Sequence, residues 1–481
     1  MRKTTVILFI TLILSLGGTC FVAVKLWDSR DEVILAEVTF WGNKEAAQDL
    51  TMQTHIMYQD RLFWNTIVPM GNLEKAVTDY KESITPIYAD LDKDTGLSMD
   101  LSIDTAMISD NILQGNIEGI TKAYAELADT IGSGEEAEKE IYLKDYIDYY
   151  QYMISLKLPG TDIYRWRSIY KKGAVQKQAE DVIETLSDFF KIPVLEDESC
   201  YISVGKNEQG NIYHTGSGTG ENDFFYMQIL NAIGKNKLYF TFDTHSRDGV
   251  VVDTSLIPGG YGIYMLPFDS ALEESEENAD RISVNAEGLK MVYALDPQIN
   301  VKHLHMNEKK DKLILHAEEY GKYVVTVIDS ATMNTLQKIE VMDWNEDYAY
   351  QIYEKDNFFV NMVHKTQEEG KIEAAVFVEN ENGEYEIAFI REIQNKNIPS
   401  FNTSNLYLDF DGKRLAMAGF LEDEKQYYRT TCNIFVAVCD AAGMQYYGEY
   451  RNSLETGYDE DNYYYHCQGY GLEPIVLKWK E

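Results

Sequence analysis

The feature that most constrains this chain is a phrase of short apolar strands recurring through its C-terminal half. A first strand type appears as Lys237–Phe242, Lys312–Ala317, Asn357–Val363 and Arg414–Gly419. A second follows each and ends in an acid: Leu266–Asp269, Val327–Asp329, Phe377–Glu379 and Val438–Asp440. The terminal acids are 60, 50 and 61 residues apart. A turn and another strand come next, as where Asn382-Gly383, a strong hairpin signal, leads into Tyr385–Ile390. A unit of about four strands at this period cannot bury both faces alone. The pattern therefore predicts neighbouring sheets stacked around an axis, a β-propeller, rather than a helical solenoid.

Composition agrees with a β-rich body. Tyrosine is abundant and proline scarce, 35 against 9, and tyrosine suits half-buried pleated surfaces. An apolar fraction of 45% excludes disorder across the whole chain, and 481 residues allow two or three domains. The formal charge of −36, from 43 basic and 79 acidic residues, argues against nucleic acid or anionic lipid as a partner of the body.

The N-terminus carries a different signal. Thr4–Val24 is an uncharged run of 21 residues, just long enough as a helix to cross a bilayer core of about 30 Å. Arg2 and Lys3 precede it and Trp27 follows, which predicts a cytoplasmic N-terminus and an exported body. A cleaved signal peptide and a lipoprotein modified at Cys20 are the rival readings, though no clean small-residue cleavage site or lipobox is present. All three place the body outside the cytoplasm.

Three regions result: a transmembrane signal anchor over 1–27, a mixed α/β region over 28–197, and the propeller over 198–481. In the middle region, Leu50, Met52, Thr54, Ile56 and Tyr58 alternate as a strand does. Ile117, Ile120, Tyr124, Leu127 and Ile131 keep helical spacing, stopped by Gly132-Ser133-Gly134. Val175–Phe190 has one apolar helical face closed before Pro193. Two strand pairs at the edges of the propeller lack complements. They are Tyr463–His466 with Pro474–Trp479, and Tyr201–Val204 with Asn211–His214. Joining them would close a fifth blade and remove exposed edges; strands from the middle region would raise the count to six or seven.

One phrase adds a resemblance. Val324–Thr332, running on to Ile339-Glu340-Val341, resembles the YVTN-type β-propeller repeat, with its valine strand, Ile-Asp, small turn and closing I-x-V. Repeats of this kind occur in membrane-anchored bacterial envelope proteins. The resemblance covers some twenty residues clearly and the other units in outline. It implies fold and not activity.

Chemistry candidates are few. Asp90–Gly96 begins like a calcium loop but has Thr95 where the glycine belongs and Leu101 where the bidentate glutamate belongs. His303 and His305 share a strand face, as zinc-ligating H-x-H pairs do, and His316 on the following strand could approach them. Sequence alone fixes no third ligand, so two surface histidines on one strand is the preferred reading. Asp253-Thr254-Ser255 and Asp329-Ser330-Ala331 imitate paired aspartates without the glycine such sites carry. Ser217 lacks the flanking glycines of a nucleophile elbow and no phosphate-loop lysine follows, so 214–220 reads as a flexible loop. The clusters Tyr146, Tyr149, Tyr150, Tyr152 and Tyr463–Tyr465 could stack on sugars, but packing between blades also calls for aromatics. Four cysteines, Cys200, Cys432, Cys439 and Cys467, allow three pairings; Cys432 and Cys439 would face opposite sides of one strand.

The expectation is thus a mainly β chain, a propeller of about five blades behind an N-terminal transmembrane helix. It would be a single-pass, extracytoplasmic cell-envelope module for binding, sensing or protein interaction, with a protein or glycan partner. A glycoside hydrolase using carboxylates near the axis is the alternative. Binding is favoured over catalysis. No catalytic residue is assigned, and no cofactor or metal is expected.

Overall fold

The computed structural model describes residues 14–18, 35–58, 62–82, 98–103, 118–149, 153–157, 185–186, 188–219, 227–243, 253–269, 283–345, 347–355, 357–365, 371–394, 406–422, 430–452, 464–466 and 474–480. They form six sheets of three to seven strands. The chain divides into two compact units, one comprising 1–92 with 347–481 and the other 93–346.

The first unit holds three sheets. Tyr348–Lys355, Phe358–Lys365, Ile372–Glu379 and Tyr385–Gln394 form an antiparallel meander. A second sheet runs Tyr407–Phe410, Arg414–Glu422, Thr430–Asp440, Gly443–Asn452 and finally Leu35–Gly42, a strand from near the other end of the sequence. In the third, Leu50–Tyr58 pairs with Leu62–Pro69 on one side and with both Tyr464–His466 and Ile475–Trp479 on the other; Val77–Glu82 completes it.

Burial follows strand periodicity. Thr430–Asp440 is apolar from Ile434 to Cys439 because both its faces are covered. Phe435, Ala437 and Cys439 join one core with Met362, Val376 and Met417. Ile434, Val436 and Val438 join another with Met52, Val68, Ile475 and Leu477. Polar contacts fasten the C-terminal strand. Lys355 Nζ donates to the carbonyls of Leu408 (2.8 Å) and Leu477 (3.3 Å) and pairs with Asp409 at 3.3 Å. Trp479 donates its backbone N–H to the Asp409 carboxylate at 2.8 Å, and the Arg414 guanidinium lies 4.1 Å above its ring.

The second unit also holds three sheets. Asn300–Met306, Lys312–Glu319, Lys322–Asp329 and Thr335–Asp343 form a four-stranded meander. Met227–Ile233, Lys237–Phe242 and Gly262–Asp269 lead a seven-stranded sheet that takes in Ser98–Ile103 and Met153–Lys157 at one end and Ser283–Val284 and Lys290–Ala294 at the other. Ser199–Lys206 pairs with Ile212–Thr219 and with Glu136–Tyr142. The helix Glu118–Asp129 buries Tyr124, Leu127 and Ala128 in the same core as Ile202 and Val204. It ends before Gly134, whose φ of +79° suits glycine. Phe190 wedges into an aromatic cluster, 4.8 Å from Tyr264, 5.8 Å from Phe240 and 6.0 Å from Phe242.

The repeating acids have a local explanation. Asp329 Oδ1 accepts from the backbone N–H groups of Ala331 and Thr332 and from the Thr332 hydroxyl, capping the hairpin turn in which Met333 takes φ +57°. Asp440 accepts from Ala442 N–H in the same way. At Glu379 the neighbouring Asn380 takes over, accepting from Asn382 and Glu384.

Two expectations are corrected. The propeller is the first. The six sheets are unequal, and none is closed on itself among the described residues. The predicted fifth blade is not formed: the C-terminal strands pair with Leu50–Tyr58, and the hairpin around Tyr201 pairs with Glu136–Tyr142. Equal apolar alternation in several strands left the choice of partner open, and long-range register decided it. The hydrolase alternative, which placed its carboxylates at a propeller axis, loses its basis as well.

The membrane anchor is the second. Among the described residues no helix is long and apolar enough to cross a membrane. Of the apolar run, 14–18 is described as helix, spanning about 7.5 Å at 1.5 Å per residue. The remainder lies outside the described residues. The transmembrane helix, the membrane as partner, the single-pass extracytoplasmic location and the envelope-module function built on them are not supported.

Candidate metal centre

The four-stranded sheet of the second unit gathers three histidines on one face. His303 stands directly opposite His316 in the register of Asn300–Met306 and Lys312–Glu319. Opposed residues of an antiparallel pair project to the same side, and residues two apart on a strand do likewise. His305 therefore joins them. A register shift between Val301 and His303 sets this alignment. The ring centres lie 5.4 Å (His303–His305), 5.7 Å (His303–His316) and 5.1 Å (His305–His316) apart.

The surroundings are dry. His316 is fully buried and His305 nearly so, while His303 is half-buried. Burial, and after it the neighbouring His305 and His303, holds the His316 imidazole well below the usual histidine range. It is thus neutral at pH 7, the form that ligates metal. Nδ1 of His316 lies 2.6 Å from the hydroxyl of Tyr323 on the next strand. Val325 is the direct partner of His316, and Tyr323, two residues away, shares its face. The Tyr323 ring, fully buried, lies 5.7 Å from that of Trp344, over which Lys302 Nζ sits at 5.4 Å.

The ring-centre spacing is near that of imidazoles sharing one ion. With metal–nitrogen bonds of about 2.0–2.1 Å and tetrahedral angles, three imidazoles on one ion have ring centres about 5 Å apart. His303 and His305 each place one ring nitrogen within 4.8 Å of the other's, a close set to which His316 does not belong. An all-imidazole set suits zinc, copper or nickel and is poor for calcium or magnesium, which take oxygen ligands.

The other sequence candidates fare differently. Asp90–Gly96 lies outside the described residues, as does most of the helix expected over Val175–Phe190. Asp253 Oδ1 accepts from Ser255 N–H, an Asx turn, and Asp329 caps its hairpin, so both aspartates have turn roles. The segment expected as a loop around Ser217 is instead the strand Ile212–Thr219. Its glycines permit close packing: a Cβ at Gly216 would sit 2.7 Å from the Ser203 hydroxyl, and the Gly216 carbonyl accepts from Tyr124 at 2.8 Å. Ser203 Oγ and His214 Nε2 are 3.5 Å apart on an exposed face, too long for an activated nucleophile. Cys200 and Cys439 are buried free thiols. Tyr323 was missed by sequence reasoning; its only signal was alternation with Val325 in the strand after His316.

No family model matches the chain. No curated protein matches it either. Solved structures give weak likenesses. A Bacteroides fragilis protein named as a 6-phosphogluconolactonase shares 10% identity, with a TM-score of 0.32 over 91% of this chain and 99% of that one. The β-propeller domain of the Pyrococcus furiosus Trilobed protease shares 13%, with a TM-score of 0.22 over 51% and 66%. Kuenenia stuttgartiensis hydrazine synthase shares 11%, with a TM-score of 0.25 over 55% of this chain and 62% of that one, so the match spans less than two thirds of its length. These are low-identity likenesses to β-sheet and propeller-type folds; they assign neither a family nor an activity.

Proposed function

We propose that this chain is a transition-metal-binding protein and that His303, His305 and His316 hold the ion. The observation that carries this reading is the convergence of three imidazoles on one face of one sheet, with ring centres 5.1–5.7 Å apart and two of the rings buried.

We infer binding rather than catalysis as the role of the site. The histidines sit on two strands of a meander with His305 and His316 buried, which favours retention of the ion. The test is a thermal-shift titration of the full chain with zinc, copper(II), nickel, calcium and magnesium, after chelator treatment. A ligand at about 100 times its Kd stabilises the native state by about 2.7 kcal/mol. Zinc, copper or nickel should raise the melting temperature and calcium and magnesium should not. Equal responses to all five, or to none, would reject the proposal.

A further inference from the structure

We infer that Tyr323 is a positioning residue for this site: its hydroxyl, held on Nδ1 of His316, reserves Nε2 of that ring for the metal. This rests on the metal-binding reading above. A neutral imidazole has one N–H and one lone pair, and the hydrogen bond made by one nitrogen decides what the other can do. Ligating histidines are oriented in this way by an outer partner, usually a carboxylate or carbonyl. Here the partner is a phenol, 2.6 Å from Nδ1.

Tyr323 is built to stay in place. It is fully buried in the interior of the strand Lys322–Asp329, and its ring rests 5.7 Å from that of Trp344. Trp344 is itself fixed, its backbone N–H donating to the Gly321 carbonyl at 2.9 Å. The phenol oxygen therefore has little freedom to follow a different rotamer of His316. With Nδ1–H donating to the Tyr323 oxygen, the ring presents the Nε2 lone pair. The lock acts on the most buried of the three rings.

Two measurements on the full chain test this. The first is zinc affinity by competition with a chromophoric chelator, for the native protein and Tyr323→Phe, with apo melting curves as a folding control. Loss of an outer partner of a ligating histidine costs 10–100-fold in metal affinity. A loss of that size, with apo melting little changed, supports the lock. Equal affinity in the two proteins overturns it and leaves the metal site standing. If the native protein binds no zinc, the metal reading fails and the lock fails with it, a result separable from the previous one. The second measurement covers a variant that does not fold: nitrogen NMR of the zinc-loaded native protein labelled at histidine, with His316 assigned by substitution. A proton on Nδ1 and a metal-shifted Nε2 support the lock; metal on Nδ1 overturns it.

Discussion

His303 and His316 face each other across a strand pair, ring centres 5.7 Å apart, although 13 positions separate them in the chain. The hairpin between them makes the site local to one sheet.

His303 is half-buried and His316 fully buried, and their replacement should separate binding from stability. His303→Ala is expected to lower zinc affinity at least 100-fold while shifting apo stability by no more than about 0.5 kcal/mol. His316→Ala should lose affinity as well and also cost about 2–4 kcal/mol, because it opens a cavity and removes the hydrogen bond between the Tyr323 hydroxyl and Nδ1. Urea melts of the apo proteins read the difference.

Alkaline pH should loosen the second unit. Burial first, then Glu198 and Glu140, pushes the Cys200 thiol up to about 11 from its ordinary 9.0. Burial also pushes Tyr124, beside it, up to about 12. Below pH 9 both folded and unfolded thiols are protonated and stability is fully present. Between pH 9 and 11 the unfolded thiol loses its proton while the folded one keeps it, so stability falls as pH rises. Cys200 alone accounts for a loss on the order of 2 kcal/mol. Urea midpoints at pH 8 and 10.5 should differ less in Cys200→Ala than in the native protein.

The strand Leu35–Gly42 ends at a position only glycine fills. Gly42 has φ +82°, and a Cβ there would lie 2.2 Å from the Gln445 carbonyl oxygen. Gly42→Ala should cost about 2–4 kcal/mol by forcing this strand off Gly443–Asn452. A substitution without effect would mean that the strand is not paired there.

The pairing of the C-terminal strand can be trapped chemically. Gln53 and Val476 are register partners, and opposed Cβ atoms about 4.5–5.5 Å apart are near disulfide reach. Gln53→Cys with Val476→Cys should oxidise to an intramolecular disulfide, read by mass spectrometry and gel mobility.

Much of the strand content was legible because it is a local property. Lys312–Ala317, Val324–Asp329 and the Asn382-Gly383 hairpin were read from alternation and turn chemistry, and they are strands and turns in the structure. Leu50–Tyr58 reads as a strand, but its pairing with Tyr464–His466 and Ile475–Trp479 does not, because many strands share its alternation. The recurring acids suggested a propeller, yet Asp329 and Asp440 serve turns, a role that any hairpin of this kind can use. At the site, the spacing of His303 and His305 and the place of His316 on the next strand were visible. Tyr323 was not, since its contact depends on a diagonal offset across a second strand pair.

The central claim is the three-histidine centre, and cobalt(II) substitution tests it most directly. Titration of the apo full-length protein, followed by visible absorption, should saturate at one ion per chain with the intense d–d bands of a tetrahedral nitrogen site. Those bands should vanish in a protein carrying His303→Ala, His305→Ala and His316→Ala. A native protein that gives only the weak spectrum of hydrated cobalt, or a triple variant that binds as well as the native chain, would contradict the assignment.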